Sequence, residues 1–146
     1  STKGRYALIA MAYMARKELF EKSSVSEISE SQGISQTYLE QLFMRLRKAS
    51  LLRSVRGAGG GFTLKKHPID IRVHDIMKAV DENFEAVEGN QSVFKNQIKT
   101  NEYILSEKFW EQFSSQIYLF MHKITLQDIA SDSMEPCQAV INFVKN

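Results

Sequence analysis

"SVRGAGGGFTL", residues 54–64, sets four glycines within five positions between two apolar, strand-like pieces, with Arg56 just ahead of them. A glycine run can cradle phosphate, but such loops end in Gly-Lys-Ser/Thr or open a helix whose first N–H groups meet the phosphate. Here Gly61 leads into "FTLKK", an alternating strand, and no Gly-x-Gly-x-x-Gly opens a helix. The stretch therefore reads as a β-hairpin with a thin tip. Gly57, Gly59 and Gly60 would let the tip lie against another surface, and Arg56 could enter a DNA minor groove, where negative potential is enhanced. The plain alternative is a glycine-rich turn with a solvated arginine.

The residues before the hairpin decide between these. "SVSEISESQG" pairs Ser24 with Glu27 as a capping box, with Val25 and Ile28 as a short apolar face, and Gly33 stops the helix. Ser35 then caps "SQTYLEQLFMRLRKAS", whose inner stripe is Tyr38, Leu39, Leu42, Phe43 and Leu46. Two helices joined by a short Gly-containing turn fit a helix-turn-helix. Upstream, "RYALIAMAYMARK" is a largely buried helix starting near Gly4 with Thr2 as its cap, and Tyr6, Ile9, Ala10, Tyr13 and Met14 follow helical spacing. Three helices and then a hairpin give the expected fold class: mainly α with a small β-hairpin, a winged helix-turn-helix.

Within that frame a recognition helix reads base edges with its first turns. Ser35, Gln36, Thr37, Glu40 and Gln41 occupy them on the outward side. Gln suits adenine, Glu accepts from cytosine N4, and Ser or Thr reaches bases or phosphates. Arg45, Arg47 and Lys48 suit phosphates, as do Thr2, Lys3 and Arg5 at the amino end. Taken alone, such a face is also what a solvated outer surface looks like.

After His67-Pro68, "RVHDIMKAVDE" reads as a short helix with Val73, Ile76, Met77 and Val80 at helical spacing. Residues 83–103 have weak periodicity and read as a loop or linker. "SEKFWEQFSSQIYLFMHKI" is a long amphipathic helix capped by Ser106, with Phe109, Phe113, Ile117, Phe120 and Ile124 on one stripe. "TLQDIAS" is a short helix capped by Thr125, and a terminal helix is expected after Pro136. The implied division is 1–66 DNA-binding domain, 67–103 connecting helix and loop, 104–131 dimerisation helix and short following helix, and 132–146 tail.

Composition bounds the function. The 146 residues are 43% hydrophobic and 25% charged, the balance of one globular domain with an appendage. Net charge is +2, yet residues 1–66 hold 12 Lys+Arg against 5 Asp+Glu, and residues 67–146 hold 7 against 12. The basic front suits a polyanion, or reflects chance clustering on solvated faces. No apolar run reaches membrane-span length, the amino end is polar and basic, and Cys137 is the single cysteine. These suggest a cytoplasmic protein without disulfides. His67, His74 and His122 are scattered and form no metal spacing. No catalytic constellation assembles, so no enzyme, metal or cofactor is expected. Cys137 reads as inert sooner than as a sensor. Trp110 and the Phe stripe read as core or subunit interface.

"STKGRYALIAM", "ISQTYLEQLFMRLRKASLLRSVRGAGGGFTL" and "DIMKAVDE" closely resemble the bacterial Rrf-two family of transcription regulators, with its IscR-type and CymR-type members. The resemblance is strong over residues 2–82 and weaker over 104–131. It implies a homodimer joined through the long helix and a palindromic operator on double-stranded DNA, with repression the expected mode. It puts Thr37, Glu40 and Gln41 among base readers, Arg56 in the minor groove, and Lys3, Arg5 and Tyr38 on the backbone. IscR-type members hold an iron–sulfur cluster with three cysteines between the "DIMKAVDE" helix and the dimer helix. Residues 83–110 here contain no cysteine and no histidine, and Glu107 stands near the family histidine's place. No cluster is therefore expected, as in the CymR type, unless ligands were removed. The alternatives are a regulator that docks a partner enzyme through its acidic half, and an IscR-type regulator stripped of its ligands.

Overall fold

The computed structural model describes residues 1–81 and 100–134. The order is α1 (Thr2–Ala15), α2 (Val25–Gln32), α3 (Gln36–Lys48), β1 (Leu52–Val55), β2 (Gly61–Leu64), a 3-10 turn at Pro68–Asp70, α4 (Val73–Ala79), α5 (Asn101–Lys123) and α6 (Leu126–Ala130). The expected 3-helix-plus-hairpin order is present. The terminal helix expected after Pro136, and residues 83–99 of the expected linker, lie outside the described residues.

Local chemistry sets the helix ends. Ser24 accepts from the Glu27 N–H while Glu27 reaches back to the Ser24 N–H, so the capping box forms. Gly33 closes α2 at φ 66°, and Ser35 caps α3 through the Tyr38 N–H. Two expected caps differ. Helix α1 begins at Thr2 with Ser1 as N-cap and without a side-chain cap bond, so Thr2 lies inside the helix. Helix α5 begins at Asn101, where Thr100 accepts from the Tyr103 N–H, so Ser106 sits within the helix and residues 101–103 are not linker. Thr100 supplies the cap, bonding three residues ahead to the Tyr103 N–H.

The core joins α1, α2, α3, α4, α6 and the hairpin. Phe43, Met11, Ile28, Leu39, Leu46, Ile71, Ile76 and Leu126 are among its fully buried side chains. The inner face of α1 is Gly4, Ala7, Ala10, Met11 and Met14, rotated from the expected stripe. Ile9 is exposed and Tyr6 and Tyr13 are half-buried. Small side chains let the neighbouring helices approach α1 closely, which leaves its aromatic residues at the edges. Tyr13 and Lys17 both donate to the Glu27 carboxylate and tie α1 to α2. Lys17, then Tyr13, hold the Glu27 carboxyl below its ordinary value, and the same contact raises both partners.

The hairpin is an antiparallel pair with Leu52 opposite Leu64 and Val55 opposite Gly61. Ser23, in the α1–α2 connection, exchanges two backbone hydrogen bonds with Phe62 at 2.9 and 2.8 Å and adds a third, one-residue rung. At the other end, Arg72 bridges Thr125, and Leu126 donates to the Ile71 carbonyl, so the chain after α5 returns to the body. Thr125 and Asp128 form a reciprocal capping box there.

Helix α5 has no buried residue. Residues two apart on a helix point to nearly opposite sides, and residues four apart share one. Tyr118 and His122 form one face. His122 stacks on His74 of α4 with ring centroids 3.8 Å apart, and Tyr118 lies 5.5 Å from His74. The sequence reading left these histidines scattered; the fold brings two of the three together. The face opposite carries Phe109, Phe113 and Phe120, exposed by 61%, 45% and 57%. Phe109 and Phe113 stack at 6.1 Å, and Trp110 meets Phe113 edge-on at 5.9 Å.

Candidate nucleic-acid interface

Helix α3 divides cleanly. Leu39, Leu42, Phe43 and Leu46 are buried, while Ser35, Gln36, Thr37, Glu40, Gln41, Arg45, Arg47 and Lys48 are exposed. Gln36 donates to Glu40 across one turn at 3.2 Å, which orders both side chains on the outer surface. Tyr38 is half-buried and packs edge to face on Tyr6 of α1 at 5.7 Å, so this edge of α3 abuts α1. Thr37, Gln41, Met44 and Lys48 fall at steps of four, three and four and share one outward ridge. Met44 is 53% exposed on that ridge and was absent from the sequence reading. Its signal was an apolar residue breaking a polar face; a thioether there can lie against a thymine methyl.

The wing follows from α3 through Ala49 to β1. Phe43 and Phe62 meet edge to face at 5.0 Å and fix the hairpin against the helix. Arg56 is exposed directly after β1. The turn closes with the Gly60 N–H donating to the Gly57 carbonyl at 2.9 Å, and Gly57 sits at φ 105°, where a side chain would strain the backbone. Gly61 is required for closeness: a Cβ there would come within 2.5 Å of the Ser23 carbonyl oxygen. Gly59 and Gly60 complete the tip, so Arg56 stands beside a loop with almost no side-chain bulk.

Arg5 is exposed near the amino end of α1, and Lys3 is half-buried there with Nζ donating to the Asp81 carbonyl at 3.3 Å. Arg45 is engaged as well: it donates to the Asp81 carboxylate and, at 3.5 Å, to the Val80 carbonyl. The contact between Arg45 and Asp81 joins residues 36 apart in the chain and has no local signature in the sequence. Among the described residues, Lys3, Tyr38 and Arg45 thus lie along one flank, the outer ridge of α3 at the centre and Arg56 at the wing, while Arg5, two residues from Lys3, points to nearly the opposite side of α1.

The chain as a whole is similar to known proteins. The sequence matches the Rrf2 family, described as iron-dependent transcriptional regulators, over residues 1–132. The chain belongs to the Rrf2 family. It is 41% identical over 142 residues to the HTH-type transcriptional regulator IscR of Cereibacter sphaeroides, covering 96% of this chain and 92% of that one. Its structure resembles CymR, the global cysteine regulator of B. subtilis, with TM-score 0.73 and 30% identity over 90% of this chain and 95% of that one. It also resembles T. potens IscR, with TM-score 0.72 and 34% identity over 97% of this chain and 94% of that one. This Rrf2 protein is accordingly a winged-helix transcription regulator, and its family is not one of enzymes.

The donor set does not fit an iron–sulfur cluster. Such clusters take thiolates, with histidine as an occasional substitute. The one cysteine, Cys137, lies outside the described residues, and Glu107 sits half-buried on α5. Among the described residues no three His, Cys, Asp or Glu side chains gather as ligands for an ion. No described helix is long and apolar enough to cross a membrane.

Proposed function

We propose that this Rrf2 protein is a cytoplasmic repressor that reads a palindromic operator as a homodimer, without an iron–sulfur cluster. One observation carries the reading: the polar ridge of α3 stands between an arginine-led wing and a cationic flank. A major groove admits a helix, and Gln36, Thr37, Glu40 and Gln41 supply donors and acceptors for base edges. Ser35, Lys3, Arg5, Tyr38 and Arg45 serve the phosphates on either side, which fixes register without reading sequence. Arg56 enters the minor groove, with Gly57, Gly59 and Gly60 allowing close approach.

Homodimerisation rests on the stripe of Phe109, Phe113 and Phe120, an apolar surface that no other described residue covers. A two-fold dimer presents two α3 helices to half-sites about 34 Å apart, hence the palindrome. The absence of a cluster rests on the single cysteine. Residues 1–66 act as the reading domain, 67–100 as the connection, and 101–131 as the pairing element.

The test is to select bound duplexes from a random pool with the purified chain. A palindromic consensus whose binding weakens steeply with salt is expected. A sequence-indifferent or salt-insensitive result refutes the operator reading. Anaerobically purified protein should be colourless and iron-free; a brown sample carrying several irons per dimer refutes the cluster-free reading.

A further inference from the structure

Three residues from separate elements converge where α4 ends. Asp81 takes a left-handed backbone at φ 54°. Lys3 of α1 donates to its carbonyl, and Arg45 of α3 donates to its carboxylate and to the Val80 carbonyl. Arg45 lies seven residues from Tyr38, on the same edge of α3, and Tyr38 packs on Tyr6 of α1. The edge of α3 and the amino end of α1 therefore form one continuous flank, with Asp81 set into it.

Guanidinium presents the same fork of N–H donors to a carboxylate and to a phosphate. A carboxylate among cations on a DNA-facing flank thus satisfies those cations before any duplex arrives. We infer that Asp81 is a positioning residue for DNA binding, an internal stand-in for phosphate that Arg45 leaves in order to reach the duplex backbone. The inference rests on the DNA-binding reading above.

The pair is exposed, with 46% of the Arg45 side chain and 78% of the Asp81 side chain accessible. Solvent screens it, so a phosphate can displace it. It orders Arg45 when DNA is absent and lowers affinity by the small factor needed to break it. The Lys3 contact uses the Asp81 backbone oxygen and survives substitution of the side chain.

The left-handed backbone selects the variants, since Asn and Gly both tolerate it. Asp81→Asn and Asp81→Gly are compared with the parent chain on a mixed-sequence duplex across a salt series, with thermal midpoints recorded alongside. Both variants are expected to bind about 2–5-fold tighter per protomer, with the salt slope unchanged, because Arg45 reaches the same phosphate in parent and variant. In an Arg45→Gln background the Asp81 substitutions should change neither quantity. Unchanged or weaker binding by folded variants, or a gain that persists without Arg45, overturns the inference. Loss of the fold in both variants also overturns it, by making Asp81 structural. A parent chain that binds no duplex at low salt refutes the DNA-binding reading itself, a result distinct from a binding parent with indifferent variants.

Discussion

Phe43 of α3 meets Phe62 of β2 edge to face at 5.0 Å, so helix α3 and the hairpin turn on one aromatic joint. Phe43 is fully buried, whereas Phe62 is half-buried. Phe43→Ala should cost about 3–5 kcal/mol of stability, the usual range for a large core truncation. Phe62→Ala should cost less and mainly loosen the wing. Urea unfolding of both variants tests the order; equal losses would show that the joint is not organised around Phe43.

In the proposed DNA complex the wing and the helix carry different kinds of contact. Arg56→Ala should weaken binding to all duplexes and flatten the salt slope, because its target is potential and shape. Glu40→Ala should change preference at one base position by about 1–3 kcal/mol. Gel shifts over single-base operator variants separate the two. Matching sequence profiles for both variants would reject this division of labour.

Gly61→Ala should be harmful although it adds one methyl. Its Cβ would come within 2.5 Å of the Ser23 carbonyl oxygen, and backbone cannot swing aside as a flexible side chain can. The two Ser23–Phe62 hydrogen bonds should open. Faster amide exchange at Ser23 and Phe62 is the signature; wild-type protection at both would show that the contact relaxes cheaply.

The pairing face has a direct assay. Phe113→Glu puts a carboxylate in the middle of the exposed α5 stripe and should convert a dimer to monomer, read by sedimentation. Tyr118→Glu lies on the other face and should disturb packing against α4 instead. A Phe113→Glu protein that sediments as a dimer places the interface elsewhere.

Acid should destabilise the fold through two carboxyls. Lys17 and Tyr13 hold Glu27 below its ordinary 4.5, and the Thr125 N–H and then its hydroxyl hold Asp128 below its ordinary 3.8. A carboxyl with a lower value in the folded state binds its proton more readily when unfolded. Its stabilisation is therefore present above the ordinary value and is lost as pH falls through the folded one. Thermal midpoints should drop between about pH 5 and pH 3, and Glu27→Gln with Asp128→Asn should flatten that drop. An unaltered acid profile in the double variant would assign acid sensitivity to other groups.

What was legible in the sequence was local. Ser24 with Glu27, Gly33, Ser35 and Thr125 are caps whose partners lie within three or four residues, and the wing was marked by a strand following the glycines. The inner face of α1 was misread because its large side chains were weighted over Gly4, Ala7 and Ala10, when close helix packing favours the small ones. Helix α5 starts at Asn101, well ahead of the Phe109–Phe113–Phe120 stripe, because Thr100 caps it there. His74 against His122, and Arg45 against Asp81, join residues far apart in the chain, and only the assembled fold creates them. The outward residues of α3 could be named from helical phase alone, apart from Met44, whose hydrophobicity disguised its exposure.

Helix α5 is held to its own body by Tyr118 and His122 on one face and offers Phe109, Phe113 and Phe120 on the other. In the proposed dimer a rigid rod with two such faces would work as a gear: the angle between them would fix the angle between the two α3 helices. Adding one residue between Phe113 and Tyr118 would turn the stripe by about 100° against the body. Adding seven would nearly restore its direction while lengthening the rod by about 10 Å. In that dimer, operator spacing would be set by the phase of this helix as much as by any side chain that touches a base.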